Sequence, residues 1–184
     1  MLTLIKEDGT GRTDANSYAN VADGDAYHEA HLYATTWTAA STAHKEAALV
    51  MATRLIDAGC EFSGSKRSSD QALQWPRAGA LDPDRPTLRL SILYTTAGSY
   101  FESDRVPPAV VNATCEMARE LLAANRTDNP PGEGLASLSL AGALSMTFDK
   151  QDRPPMLSHL ARTMLAKWAT FIEPGRGPVR LIRT

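Results

Sequence analysis

Hydrophobic positions along this chain fall into three runs at helical spacing and one run that alternates. Between residues 42 and 58, Ala48, Met51, Ala52, Leu55 and Ile56 share one face, which predicts a helix opened by Ser41 as N-cap and closed at Gly59. From Pro108 to Asn125, the neighbouring stripes Val110-Thr114-Met117-Leu121 and Val111-Cys115-Ala118-Leu122 predict a helix with a broad buried face. Proline in its first turn starts it, and Asn129-Pro130-Pro131-Gly132 ends it. From Met156 to Ile172, an apolar face of Leu157, Leu160, Met164, Leu165, Trp168, Phe171 and Ile172 predicts the last helix. Another helix, Val21 to Tyr33, is predicted from its start signals: Asn20 as cap, and Asp23 and Asp25 in the first turn where the helix dipole favours acid, with Gly24 as a weak point. Leu138 and Leu140, then Leu144, Met146 and Phe148, alternate with Ser and Thr, which predicts a β-hairpin within 135–148 turning at Ala141-Gly142.

These elements predict a mainly α fold, a small helical bundle of about four helices with a β-hairpin and an extended C-terminal tail. One domain is expected over residues 1–173, with a loop region at 61–107. Within it, Ser63 to Ser69 reads as a mobile loop, and Trp75-Pro76-Arg77, followed by Gly79, Pro83 and Pro86, as a constrained, extended surface segment. Leu88 to Tyr94 fits a strand or a short helix equally well. Residues 174–184 form a separate docking tail: Pro174-Gly175-Arg176-Gly177-Pro178 is a hinge, and Val179-Arg180-Leu181-Ile182-Arg183 has strand-forming residues without a core of its own, so it is frayed or docked on something else.

The 184 residues are 43% hydrophobic and 22% charged, an ordinary globular balance. Nineteen Lys and Arg against 21 Asp and Glu exclude a cationic coat for nucleic acid, which needs a cation for each phosphate contact. The charge is unevenly placed. Residues 1–35 hold two cations against six acids, and residues 150–184 seven against two. Such a chain carries either two solvated faces or two ends that meet a complementary partner or a neighbouring copy of itself. No run approaches the roughly 18 apolar residues of a spanning helix, and the first residues are too acidic for a signal peptide, so a soluble protein made in a reducing compartment and away from membranes is expected. Cys60 and Cys115 match no metal or redox spacing and read as small buried hydrophobes.

Catalytic patterns are sparse. His28 and His31 sit three apart, but without HExxH or a third ligand they read as surface or capping residues, and no metal or cofactor is expected. Gly9-Thr10-Gly11 lacks the Lys-Ser/Thr of a phosphate loop and reads as a turn. Glu7-Asp8 and Asp82-Pro83-Asp84 read as solvated turn formers. A nucleophile would need a base and an orienting group that the scattered histidines do not supply in any recognisable pattern, so a non-enzymatic role is expected.

Several pieces, in order, resemble a family. They are Glu7-Asp8-Gly9-Thr10-Gly11, Asp14-Ala15-Asn16-Ser17-Tyr18, Ala26-Tyr27-His28, Lys45 to Leu49, Gln71-Ala72-Leu73-Gln74-Trp75-Pro76-Arg77, Val106 to Val110 and Ala113 to Ala118. Together they look like the small head-tail adaptor (head completion, or connector) proteins of tailed bacteriophages, a group that also carries the label DnaT-like single-strand DNA-binding protein. The stretch Thr87 to Arg105 departs from that pattern and fits a partner-specific contact.

The resemblance implies a helical adaptor, made in the host bacterial cytoplasm and placed in the virion neck. It would form a ring, commonly of twelve copies, under the portal protein, extend the DNA channel, and present a surface to the stopper or tail-completion protein. Passing double-stranded DNA would touch it only transiently. Val179, Arg180, Leu181, Ile182 and Arg183, with Arg176, are the candidate contacts to portal or neighbouring subunit. The alternative is a single-stranded DNA-binding module in which Trp75 and Arg77, with Lys66 and Arg67, hold bases and phosphates. Against that alternative stands a structural role for Trp75-Pro76-Arg77: an indole capping the core beside an arginine that donates to an ion pair.

Overall fold

Asn20 caps the first helix from both directions: its side chain accepts from the Asp23 N–H, and the Asp23 carboxylate accepts from the Asn20 N–H. The computed structural model describes residues 2–84, 100–128, 137–140, 144–147 and 155–172, with backbone alone for the two segments between 137 and 147. The first helix, α1, runs Val21–Glu29 and stops short of the expected Tyr33. Its continuation is refused because the chain must turn back to bring Trp37, on the one-turn helix α2 (Thr35–Thr38), against α1. A Cβ on Gly24 would lie 2.3 Å from Trp37 Cζ2. Gly24 is therefore a seat for the indole, and its poor helix propensity is offset by that packing. Asp25 accepts from Trp37 Nε1 at 2.8 Å and from Lys45 Nζ at 2.7 Å, which fixes the ring.

Ser41 caps α3 (Thr42–Gly59) as its sequence predicts, accepting from the His44 N–H. Gly59 does not end the helix by a left-handed turn; Cys60 is already extended and opens β1 (Cys60–Phe62). Two short strands follow, β2 (Ser65–Lys66) and β3 (Arg77–Ala78), paired antiparallel, so the expected mobile loop at 63–69 is held in a ladder. The α4 helix (Pro108–Ala123) starts at proline as expected and is the central element, in contact with α1, α2, α3 and α5. Both predicted stripes are covered: Val110, Thr114, Cys115, Met117 and Ala118 are buried, and Val111, Leu121 and Leu122 pack partly. Facing them, α3 contributes Leu49, Ala52 and Ile56. Burying side chains such as Leu49, Ile56 and Met117 contributes about 1.5–3 kcal/mol each.

The expected hairpin forms, β4 (Ser137–Leu140) on β5 (Leu144–Thr147), with Leu138 opposite Met146. The last helix differs from expectation. α5 covers only His159–Leu165, capped by Ser158, and Ala169–Phe171 is a strand, β6, paired antiparallel with β1 so that Glu61 faces Thr170. Thr170 and Phe171 are β-branched or aromatic and pair with Glu61 and Cys60, the Ile172 N–H donates to the Gly59 carbonyl, and Phe171 tucks under the Arg162 guanidinium. The result is a mainly α protein with a small β part, five helices being present among the described residues. Both cysteines are free and buried. The expected strand or helix at Leu88 to Tyr94, most of the variant stretch 87–105, the hairpin turn, and the tail with Arg176 and Val179, Arg180, Leu181, Ile182 and Arg183 lie wholly or partly outside the described residues.

Candidate functional site

The motif pieces meet. Glu7, placed among solvated turn formers by its sequence context, is instead 2% exposed, and its carboxylate accepts from the N–H groups of Gly9, Gly11 and Arg12, each at 2.9 Å. The loop winds around this anion because Gly9 and Gly11 take positive φ, 98° and 79°, and Gly9 backs onto the Asp104 carbonyl where no Cβ fits. Asp8 keeps the exposed role, accepting from the Thr10 N–H and hydroxyl, which holds its carboxyl below the usual range.

The next piece docks on the same region. Asn16 accepts from the Ile5 N–H and donates to the Thr3 carbonyl, which fixes the N-terminal arm. Tyr18 is fully buried; its hydroxyl donates to Asp57 on α3 and accepts from the N–H groups of Gln74 and Trp75 at 3.1 and 3.2 Å. Asp57 also accepts from the Gln74 N–H. Burial pushes the Asp57 carboxyl up to about 6 against the opposing pull of these donors and of Lys66 and Arg77, and burial likewise raises the Tyr18 phenol.

Trp75-Pro76-Arg77 closes the knot. Trp75 is 0% exposed and ringed edge-on by Phe62, Phe101 and Trp168, so the segment read as surface is interior. The Trp75–Pro76 peptide bond is cis. Gln71 spans the turn, donating to the carbonyls of Leu73 and Pro76. The indole does cap the core, but the arginine is no ion-pair donor among the described residues: the Arg77 guanidinium donates to the carbonyls of Ser63, Gly64 and Gln74 and to the Gln74 side chain. Burial lowers its pKa from the ordinary value. Arg67 donates to the Gly9 carbonyl at 2.8 Å, and Lys66 reaches the Gln71 carbonyl at 3.4 Å. Three residues of the sequence-derived DNA set, Lys66, Arg67 and Arg77, thus donate to the protein's own backbone, and the fourth, Trp75, is enclosed by aromatic rings with no face for a base.

Several other cations pair with carboxylates. Arg12 pairs with Asp14, Lys6 with Asp23, Lys45 with Asp25, Arg119 with Glu116 and Glu120, and Lys167 with Asp84. The exposed surface also carries apolar side chains, and among the large ones described Leu32 at 88% and Tyr33 at 76%, between α1 and α2, are the most open. An open groove of about 450 Å³ runs along the β1–β6 ribbon between Leu81-Asp82-Pro83 and residues 166–170, with charges of both signs at its walls. Among the described residues, no three of His, Cys, Asp and Glu are placed to hold a metal, and no helix is long and apolar enough to cross a membrane. His28 and His31 separate: His28 is buried, with Nε2 3.1 Å from the Cys115 carbonyl, and His31 lies 3.6 Å from Glu116. Sequence reasoning missed Glu7, Trp37 and His28 as buried anchors; only the pair of glycines following Glu7 signalled a loop that closes on an anion.

A mainly α chain whose signature residues form a buried knot is defined by its fold more than by any surface site. A family model described as "Putative DnaT-like ssDNA binding protein" matches residues 2–183, nearly the whole chain, and the protein belongs to that family. No curated protein and no solved structure matches it.

Proposed function

We propose that this chain is a non-catalytic assembly protein, a head-tail adaptor that binds a portal protein and a stopper or tail-completion protein, with copies arranged in a ring. The observation that carries this reading is where the signature residues go. Glu7, Tyr18, Trp75 and Arg77 join the N-terminal arm, α3 and the 71–77 turn, so what these residues specify is a shape, and function is left to the exposed surface and the charged ends. The uneven charge, acidic in residues 1–35 and basic in 150–184, suits contact between unlike faces of successive copies. Residues 174–184 form the portal-docking tail in this reading, with Val179 to Arg183 adding as a strand.

The test is mass measurement of the free protein and of a mixture with the portal protein of the same virus. A stoichiometric complex that is lost on deleting residues 174–184, with circular dichroism unchanged, supports the reading; equal portal binding by the truncated chain removes the tail from it, and no complex at all refutes it.

A second reading, single-stranded DNA binding, is favoured by the description of the family to which the chain belongs. It would need a surface other than Trp75 and Arg77, and is tested by a salt-dependent shift of a labelled oligonucleotide.

A further inference from the structure

We propose that the segment spanning α1 and α2 is an acid-released element whose latch is His28. Of the nine residues of α1, only Gly24 and His28 are buried, so the helix is held to α4 through very few groups. His28 is 3% exposed. Its Nε2 bonds the Cys115 carbonyl in the middle of α4, and its Nδ1 is buried without a partner. In the neutral ring, Nε2 carries the proton and donates to that carbonyl while Nδ1 is a bare lone pair. A second proton would place an N–H with no acceptor among the rings of Tyr27, His31 and Trp37, whose centroids lie 4.9, 5.8 and 4.9 Å away.

The charges around this ring do not rescue the imidazolium. On α4, Glu116 favours it, but Arg119 donates to the same carboxylate and opposes it; on the segment itself, Asp25 is already bonded to Trp37 and to Lys45 of α3. Burial, the largest cause, pushes the His28 pKa below its ordinary value and outweighs the bond to Cys115, which acts to raise it. The sign follows. The closed form resists the proton, the open form takes it at the ordinary 6.5, and so the closed form is favoured above that value and loses ground as the pH falls through it. His31 lies at the exit of the same turn, where Nδ1 accepts from the Tyr33 N–H at 3.1 Å. Opening uncovers the α4 surface around Cys115, whose thiol is buried beside Asp23 and Glu116.

Amide hydrogen exchange on the full chain, corrected for the intrinsic pH dependence, tests this. Protection over 21–38 is expected to fall by up to about thirtyfold between pH 7.5 and 5, the limit set by one proton taken up at 6.5, while protection over 42–59 holds. His28→Gln, which keeps an N–H for the Cys115 carbonyl and cannot titrate, should flatten the response, and His31→Gln should leave most of it. In the unsubstituted protein, modification of Cys115 by a dipyridyl disulfide, which reacts with thiols in acid, should rise over the same range. A flat wild-type response, a fall shared equally by 42–59, or a fall retained in His28→Gln would overturn the proposal.

Discussion

Replacing Glu7 by Gln removes one negative charge at a buried site and keeps the number of heavy atoms, so its cost measures how firmly the N-terminal loop is wound on its anion. In the native loop, Oε1 accepts from Gly9 and Gly11 and Oε2 from Arg12. An amide can keep one oxygen toward two of these donors but must present its NH2 to the third, so one charge-assisted bond is lost and the other two weaken to neutral strength. Hydrogen bonds to charged groups contribute about 1.5–3 kcal/mol, against about 1 for neutral ones. One full loss and two partial ones give about 2–4 kcal/mol, moderated because Gly11 and Arg12 are only part-buried and can take up water. In a chain of this length, that is a fall in Tm of very roughly 4–16 °C. Asp8→Asn, one residue away and exposed, should leave the unfolding midpoint much closer to the parent's. Urea unfolding of the three proteins side by side makes the comparison. Glu7→Gln within about 0.5 kcal/mol of the parent would refute the reasoning, since a carboxylate seated on three N–H groups would then be contributing nothing.

Two further predictions rest on buried contacts. Asp57→Asn should remove an acid-side gain: the native carboxyl, raised from 3.8 to about 6, binds its proton more readily than the unfolded one, so the parent gains on the variant as the pH falls from 7 to 4, by up to about 3 kcal/mol in denaturant titrations. A stability difference independent of pH would sink this. Gly24→Ala should destabilise by about 1–3 kcal/mol although alanine is the better helix former, because its methyl would meet the Trp37 ring; a gain in Tm would show that Trp37 does not sit there.

Three helix starts were legible because a local group makes them: Asn20, Ser41 and Pro108 act within a few residues of where they stand, whereas the cap at Ser158 was passed over, and the hairpin's two strands were visible in their alternation. What escaped depends on groups far apart in the chain. α5 is cut short because β6 finds β1, and no periodicity in residues 156–172 carries news of Cys60–Phe62. The Trp75-Pro76-Arg77 turn has the composition of a surface loop, and it is interior because Tyr18, Asp57 and Gln71 satisfy its backbone. Glu7 and His28 were misplaced for the same reason: polarity predicts exposure only until the fold supplies partners. The resemblance of the motif pieces was visible in the residues, whereas their meeting in one knot was not.

The knot of Tyr18, Trp75 and Arg77 bears directly on nucleic acid. The sharpest measurement is titration of a labelled single-stranded oligonucleotide with micromolar protein at low salt, using the parent, Arg67→Ala, and Trp75→Phe, which keeps an aromatic core. No salt-dependent complex through these residues is expected, so any residual binding is unchanged by both substitutions. Binding that is present in the parent and lost in folded Trp75→Phe or Arg67→Ala would contradict it.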